Sequence, residues 1–234
     1  MDEFFGRVSR YRGQVLPAQQ ALYERLASDG QSPKALMISC ADSRVVPELI
    51  TQADPGELFV CRNAGNIVPP FSQANGGVSS TVEYAVVALG VRDIIVCGHS
   101  DCGAMKGLFN KPALEAMPNV AAWLRHSQAA LGVVSDAYPH LDDKAKVRAV
   151  AMENVVAQIN HLRTHPSVAS ALAKGELTLH GWFFEIETQS VLALDGDTGV
   201  FSRVEADGVL PVALAAARRL AADNQCCEHL VAAE

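Results

Sequence analysis

Apolar positions along this chain follow two rhythms that alternate from end to end. Residues 35–40 form a continuous apolar run of strand length, as expected for a strand covered on both faces. Glu57 to Arg62 and Asp93 to Cys97 predict two further short strands. Between them Val78, Val82, Ala85, Val86 and Leu89 recur at helical spacing, so 76–90 is predicted to be a helix packed on the sheet and ended by Gly90. Asp101 to Phe109 is expected to begin another helix, and 112–174 reads as helical throughout, with breaks near Pro139 and Pro166. Thr178 to Glu187 predicts a long strand and Ser190 to Leu194 a shorter one. The turn Asp195 to Gly199 follows, and the two strands are expected to form an antiparallel edge. Pro211 to Val231 is an alanine-rich stretch with a proline near its first turn, predicted to be a terminal helix.

Residues 3–30 precede any strand and read as two amphipathic helices split between Gly13 and Pro17. Such a segment has little of its own to pack against, so it is expected to cover the sheet or reach a second subunit. No repeat, low-complexity tract or linker interrupts the order. Strands alternating with helices predict an α/β fold: a mostly parallel central sheet flanked by helices, with an N-terminal helical arm and an antiparallel edge strand. Right-handed crossovers would bring the strand ends to one edge, where such sheets bind ligands.

Composition narrows the function. The 234 residues are 49% hydrophobic and 19% charged, enough to bury a sizeable core. The net charge of −7 and the lack of long basic runs argue against nucleic acid and against anionic membrane surfaces. The acidic start, Met1 to Phe5, has no basic segment leading into an apolar one, so no secretory signal is expected. No apolar run is long enough to span a bilayer. The chain reads as soluble and cytoplasmic. In that setting its six cysteines, at 40, 61, 97, 102, 226 and 227, are expected to bind metal or pack in the core rather than form disulfides.

Three residues carry the candidate chemistry. Cys40 ends the first predicted strand, and His99 and Cys102 follow the third in Gly98-His99-Ser100-Asp101-Cys102-Gly103. Each alone has a plainer reading as a packed side chain. Together, at the ends of two strands that a parallel sheet can make neighbours, they form a zinc donor set with a fourth position open. Gly98 and Gly103 are expected to let the backbone turn tightly around the site. Asp101 is read as a surface or cap residue rather than a ligand. Asp42 and Arg44, two apart, are expected to point the same way and pair as a bidentate fork, keeping Asp42 ionised. Zinc acidifies its bound water, so spacing and chemistry reach a hydrolytic or hydrating zinc site of unknown substrate.

At these residues the chain resembles the β-class carbonic anhydrases of the open-site, plant-type subgroup. The matching strings are CADSRV (40–45), PGELFVCRNAGN (55–66), SSTVEYAV (79–86), GHSDCGAMKG (98–107) and GWFFEIETQSV (181–191). The resemblance implies one zinc per subunit held by Cys40, His99 and Cys102. It implies reversible hydration of carbon dioxide to bicarbonate and a proton, by attack of zinc-bound hydroxide oriented by Asp42 and Arg44. Gln31 matches a substrate-binding glutamine that acts across a dimer interface, Phe59, Ala64 and Tyr84 match pocket walls, and the Gly103 amide matches a substrate-oxygen donor. A bicarbonate-inhibited subgroup carries tryptophan and glycine where this chain has Met37 and Ser39, and Arg62 lies in a string that both subgroups share. An open site is therefore expected, with no regulatory bicarbonate pocket. The resemblance also implies a single domain over 1–234, with a dimerisation arm (1–30), a zinc-binding core (31–200) and a C-terminal helical segment (201–234), assembled as a dimer or tetramer. Hydrolysis of carbon disulfide or carbonyl sulfide on the same scaffold is the alternative reading.

Overall fold

The computed structural model describes residues 1–72 and 76–204. The chain opens with helix α1 (Asp2–Arg10), a π-helical turn (Tyr11–Val15) and helix α2 (Leu16–Asp29). The expected split near Gly13 to Pro17 is absent: the helical path is continuous. Pro17 has no N–H to donate and sits in the first turn of α2, and the preceding turn widens to keep the bonding ladder in step. Neither α1 nor α2 contains a buried residue, and Phe4, Phe5 and Val8 stand exposed.

Strand β1 (Ala35–Cys40) follows, then α3 (Pro47–Thr51), β2 (Leu58–Asn63), and α4 (Gly77–Glu83), which runs into a second π-helical turn (Tyr84–Ala88). Next come β3 (Asp93–His99), α5 (Gly103–Gly107), α6 (Lys111–Glu115), α7 (Pro118–Leu124), a 3-10 turn (Arg125–Ser127) and α8 (Gln128–Ala137). The described chain ends with α9 (Asp143–Leu162), α10 (Pro166–Ala173), β4 (Thr178–Glu185), β5 (Ser190–Leu194) and β6 (Phe201–Arg203).

The helical stretch is cut more often than expected. Pro112 and Pro118 each fall in a first turn and start new helices, where a missing N–H costs nothing. Asn110 and Asp142 cap α6 and α9 by accepting from the amides of Ala113 and Ala145. The short strand β6 (201–203) lies in the segment expected to be helical, and the predicted helix 211–231 with Cys226 and Cys227 lies outside the described residues.

The six strands form one sheet in the order β2-β1-β3-β4-β5-β6. β2, β1, β3 and β4 are parallel, and β5 and β6 add an antiparallel edge. The chain leaves β1 for β2 on one side and returns to β3 on the other, so the sheet reverses its winding at β1. The C-terminal ends of β1 and β3 flank that reversal, where the following loops part and leave a crevice.

β1 alternates Leu36, Ile38 and Cys40 into a large cluster under α9, and Met37 into a smaller cluster with Val45, Ile95, Cys97 and Phe184 on the other face. Helix α9 lies close against the sheet because β3 and β4 each carry a glycine beneath it. A Cβ on Gly98 would stand 2.8 Å from Val155 Cγ2 and 3.1 Å from the Ala151 carbonyl, and one on Gly181 would stand 3.0 Å from Ile159, Leu194 and Val155 atoms. Gly98 therefore serves helix packing inside a strand, not the tight turn expected of it.

Gly181→Ala is expected to lower stability by about 1–3 kcal/mol through overpacking. Urea denaturation at fixed protein concentration measures it; an unchanged midpoint would show that α9 yields freely.

Candidate metal centre

Parallel pairing of β1 with β3 sets Ser39 opposite Cys97, so Cys40 and His99 emerge from adjacent strand ends. Three residues later Cys102 begins α5 as its N-cap residue. The donor atoms of Cys40, His99 and Cys102 all lie within 4.8 Å of one another, and all three residues are buried. The turn between His99 and Cys102 depends on Asp101, whose φ is 59°, a left-handed conformation that aspartate tolerates. Asp101 is thus the turn residue where Gly103 was expected to serve; it is not the cap.

The donor set fits a zinc ion. The two sulfurs are 4.0 Å apart, and two thiolates about 2.3 Å from a tetrahedral centre would stand about 3.8 Å apart. His99 Nδ1 lies 2.8 Å from the Ser100 carbonyl, which only accepts, so Nδ1 carries the proton and Nε2 presents its lone pair. That Nε2 is buried without any hydrogen-bond partner, a costly state for a polar atom unless something is bound to it.

Electrostatics favour one thiolate in the bare pair. The Cys40 thiol is driven down, chiefly because the Cys102 thiol donates to it, with help from the Gly65 amide against the cost of burial. Cys102 moves up, because it shares its proton with Cys40 and is itself buried, although the amides of Met105 and Ala104 oppose this. A metal that takes both sulfurs displaces the remaining proton. Cys97 is pushed up to about 12 by complete burial, and burial also raises Cys61, so both behave as packing residues.

Asp42 is held in a fork. Arg44 donates from Nε to Oδ1 at 2.9 Å and from Nη2 to Oδ2 at 2.8 Å, and its backbone amide reaches Oδ1 at 3.0 Å. These bonds, led by the guanidinium, hold the Asp42 carboxyl well below the usual carboxylate range. The same guanidinium reaches Asp101 Oδ2 at 3.0 Å, and Asp101 also pairs with Lys106. Asp42 is not among the residues whose donor atoms converge on the metal position.

The remaining expected site residues are placed as follows. Phe59 is half-buried in β2, with its ring 6.0 Å from that of Tyr84, which is half exposed in the isolated chain. Ala64 is exposed on the loop after β2, Gly103 is exposed as the first residue of α5, and Gln31 is exposed just beyond α2. Two supports were not foreseen. Arg62 donates to the carbonyls of Cys40 at 3.0 Å and Asp42 at 2.6 Å, clamping the loop that carries both. Helix α9 suspends the loop after β2: Asn154 donates to the Gly65 carbonyl at 2.9 Å, and Gln158 accepts from the Val68 amide at 2.9 Å. Nothing in local sequence signals either contact, since the α9 partners are 89 and 90 residues apart.

Comparison with known proteins agrees with this geometry. Residues 35–191 match a family model described as carbonic anhydrase. A carbonic anhydrase of Pseudomonas aeruginosa is 54% identical over 187 residues, covering 80% of this chain and 84% of that one. Carbonic anhydrase 1 of Escherichia coli O157:H7 is 48% identical over 201 residues, covering 86% and 91%. Among solved structures, the β-carbonic anhydrase CcaA is 42% identical with a TM-score of 0.86, over 92% of this chain and 95% of that one. A tetrameric β-carbonic anhydrase of Sordaria macrospora is 30% identical with a TM-score of 0.74, over 83% and 98%.

Arg44→Ala is expected to return the Asp42 carboxyl toward about 3.9, the ordinary aspartate value. Because the folded value is depressed, the fork's stabilisation is complete above that ordinary value and is lost as pH falls through the folded one. A carboxyl-carbon NMR titration of both proteins checks this; an unmoved Asp42 would remove Arg44 as the cause.

Proposed function

The chain belongs to the β-carbonic anhydrase family, a family of carbonate dehydratases, and from that premise we propose that it hydrates carbon dioxide reversibly to bicarbonate and a proton at one zinc ion per subunit. The observation that carries this reading is the buried convergence of Cys40, His99 and Cys102, with His99 Nε2 otherwise orphaned. Zinc held there supplies, when bound, a water acidified from about 15.7 toward roughly 7, a nucleophile at neutral pH.

The chain's own residues do the rest. Asp42, kept ionised by Arg44, accepts a hydrogen bond from that nucleophile and aims it. Arg44 fixes both oxygens of Asp42, so the carboxylate turns toward the nucleophile without swinging onto the metal position. Phe59, Ala64 and Tyr84 wall an apolar pocket suited to an uncharged linear substrate, and the Gly103 amide meets a developing substrate oxygen. Gln31 acts from across a dimer interface. The unburied arm of α1 and α2, with Phe4, Phe5 and Val8 exposed, supports its role as the element that embraces a second copy. Dimers or tetramers follow from that arrangement, and a single domain with the arm at 1–30 is the unit that assembles. Among the described residues no helix is long and apolar enough to cross a membrane, in keeping with a cytoplasmic enzyme.

Cys40→Ala, His99→Ala and Cys102→Ala are each expected to lose zinc and activity, read by metal analysis and stopped-flow hydration. Asp42→Asn is expected to keep zinc and lose about 10- to 100-fold in kcat/KM. Full activity in Asp42→Asn would refute its role. Parallel assays of sulfide release from carbon disulfide and carbonyl sulfide test the alternative substrate; release faster than hydration would replace the proposal.

A further inference from the structure

Cys40 does not face its pocket alone. The Gly65 amide donates to Cys40 Sγ at 3.4 Å. That N–H belongs to the peptide joining Ala64 to Gly65, and the carbonyl of the same peptide accepts from Trp123 Nε1 at 2.8 Å. A peptide unit is planar, so fixing its oxygen fixes the direction of its N–H. The peptide on the other side of Gly65 is fixed too, because its carbonyl accepts from Asn154 Nδ2 at 2.9 Å. Asn154 is completely buried and is itself oriented by Gln158, whose Nε2 donates to Asn154 Oδ1 at 2.8 Å.

Gly65 most needs such support. Its φ is 82°, a backbone conformation that side chains rarely adopt, and a Cβ there would press on Met105 Cε at 2.9 Å and Ala104 Cβ at 3.1 Å, so any other residue would be strained between β2 and the start of α5. Glycine fits the space but leaves both flanking peptides free to rotate. Two side chains from distant helices, Trp123 on α7 and Asn154 on α9, remove that freedom.

We propose that Trp123 and Asn154 are positioning residues for the metal centre: they lock the two peptides around Gly65 so that its N–H stays on the Cys40 sulfur. Neither is among the residues whose donor atoms converge on the metal position. Their effect passes through one backbone amide. A hydrogen bond to a ligand sulfur draws electron density from it and fixes its direction, and such supports of a ligand typically govern metal affinity by 10- to 100-fold. The inference rests on Cys40 being a metal ligand, as proposed above.

Cobalt(II)-substituted protein separates the two ideas. Wild-type protein without a thiolate-to-cobalt charge-transfer band would overturn the metal assignment itself. Given that band, Trp123→Phe, which keeps an aromatic ring but deletes the donor, is expected to move it to lower energy. It is also expected to speed metal loss to a chelator by about tenfold. An unmoved band and an unchanged rate would overturn the positioning role. Asn154→Ala is expected to act in the same direction and is read instead if Trp123→Phe does not fold. Wild-type zinc protein offers a measurement that needs no variant. The Gly65 amide should be protected from hydrogen exchange, and a freely exchanging Gly65 amide overturns the proposal.

Discussion

Two sulfur atoms 62 residues apart in the chain stand 4.0 Å from each other, and the rest of the architecture serves to hold them there. No local interaction brings Cys40 to Cys102. Their closeness comes from the parallel register of β1 with β3, which sets one strand end beside the other, and from the left-handed turn at Asp101 that folds α5 back over the gap. Two sulfurs and an imidazole nitrogen gathered in a buried place repel or compete for protons until a cation joins them. The cluster is thus a weakness of the bare fold and an asset of the loaded one.

The loops around the cluster are restrained by polar contacts as well as by the apolar packing of Val45, Ile67 and Val68. Arg62 grips the backbone at Cys40 and Asp42, Arg44 grips the Asp42 side chain, and Asn63 folds onto both backbone groups of Ile67. Helix α9 supports the same loop from beneath through Asn154, Gln158 and His161. Directional bonds of this kind fix where a group points, which apolar contact does not. The proposed function, which aims a small nucleophile, would need that directionality in the loops that enter the pocket.

The arm presents the opposite situation. It carries large apolar side chains, Phe4, Phe5 and Val8, that the described residues leave exposed, while α9 closes one face of the sheet. An unbroken helical path of 28 residues, from Asp2 to Asp29, is long enough to reach well beyond its own core. Under the proposed function, this arm is the element that a second copy would cover.

The alternation of strands and helices up to β5, the parallel character of the sheet, the antiparallel edge and the three residues whose donor atoms converge were legible in the chain itself, whereas the breaks within 112–174 and the strand at 201–203 were not. The legible features rest on periodicity, on chain punctuation and on residue chemistry, which are local. Resemblance in five strings added the reaction. Tertiary structure alone decided that Gly98 is a packing position under α9, that Asp101 rather than glycine makes the turn, and that Arg62 clamps the backbone. It also decided that Trp123 and Asn154 meet the two peptides around Gly65 across 59 and 89 residues. Each of these depends on where separate elements cross, and a crossing is set by the packing of whole faces, which no short stretch of residues encodes.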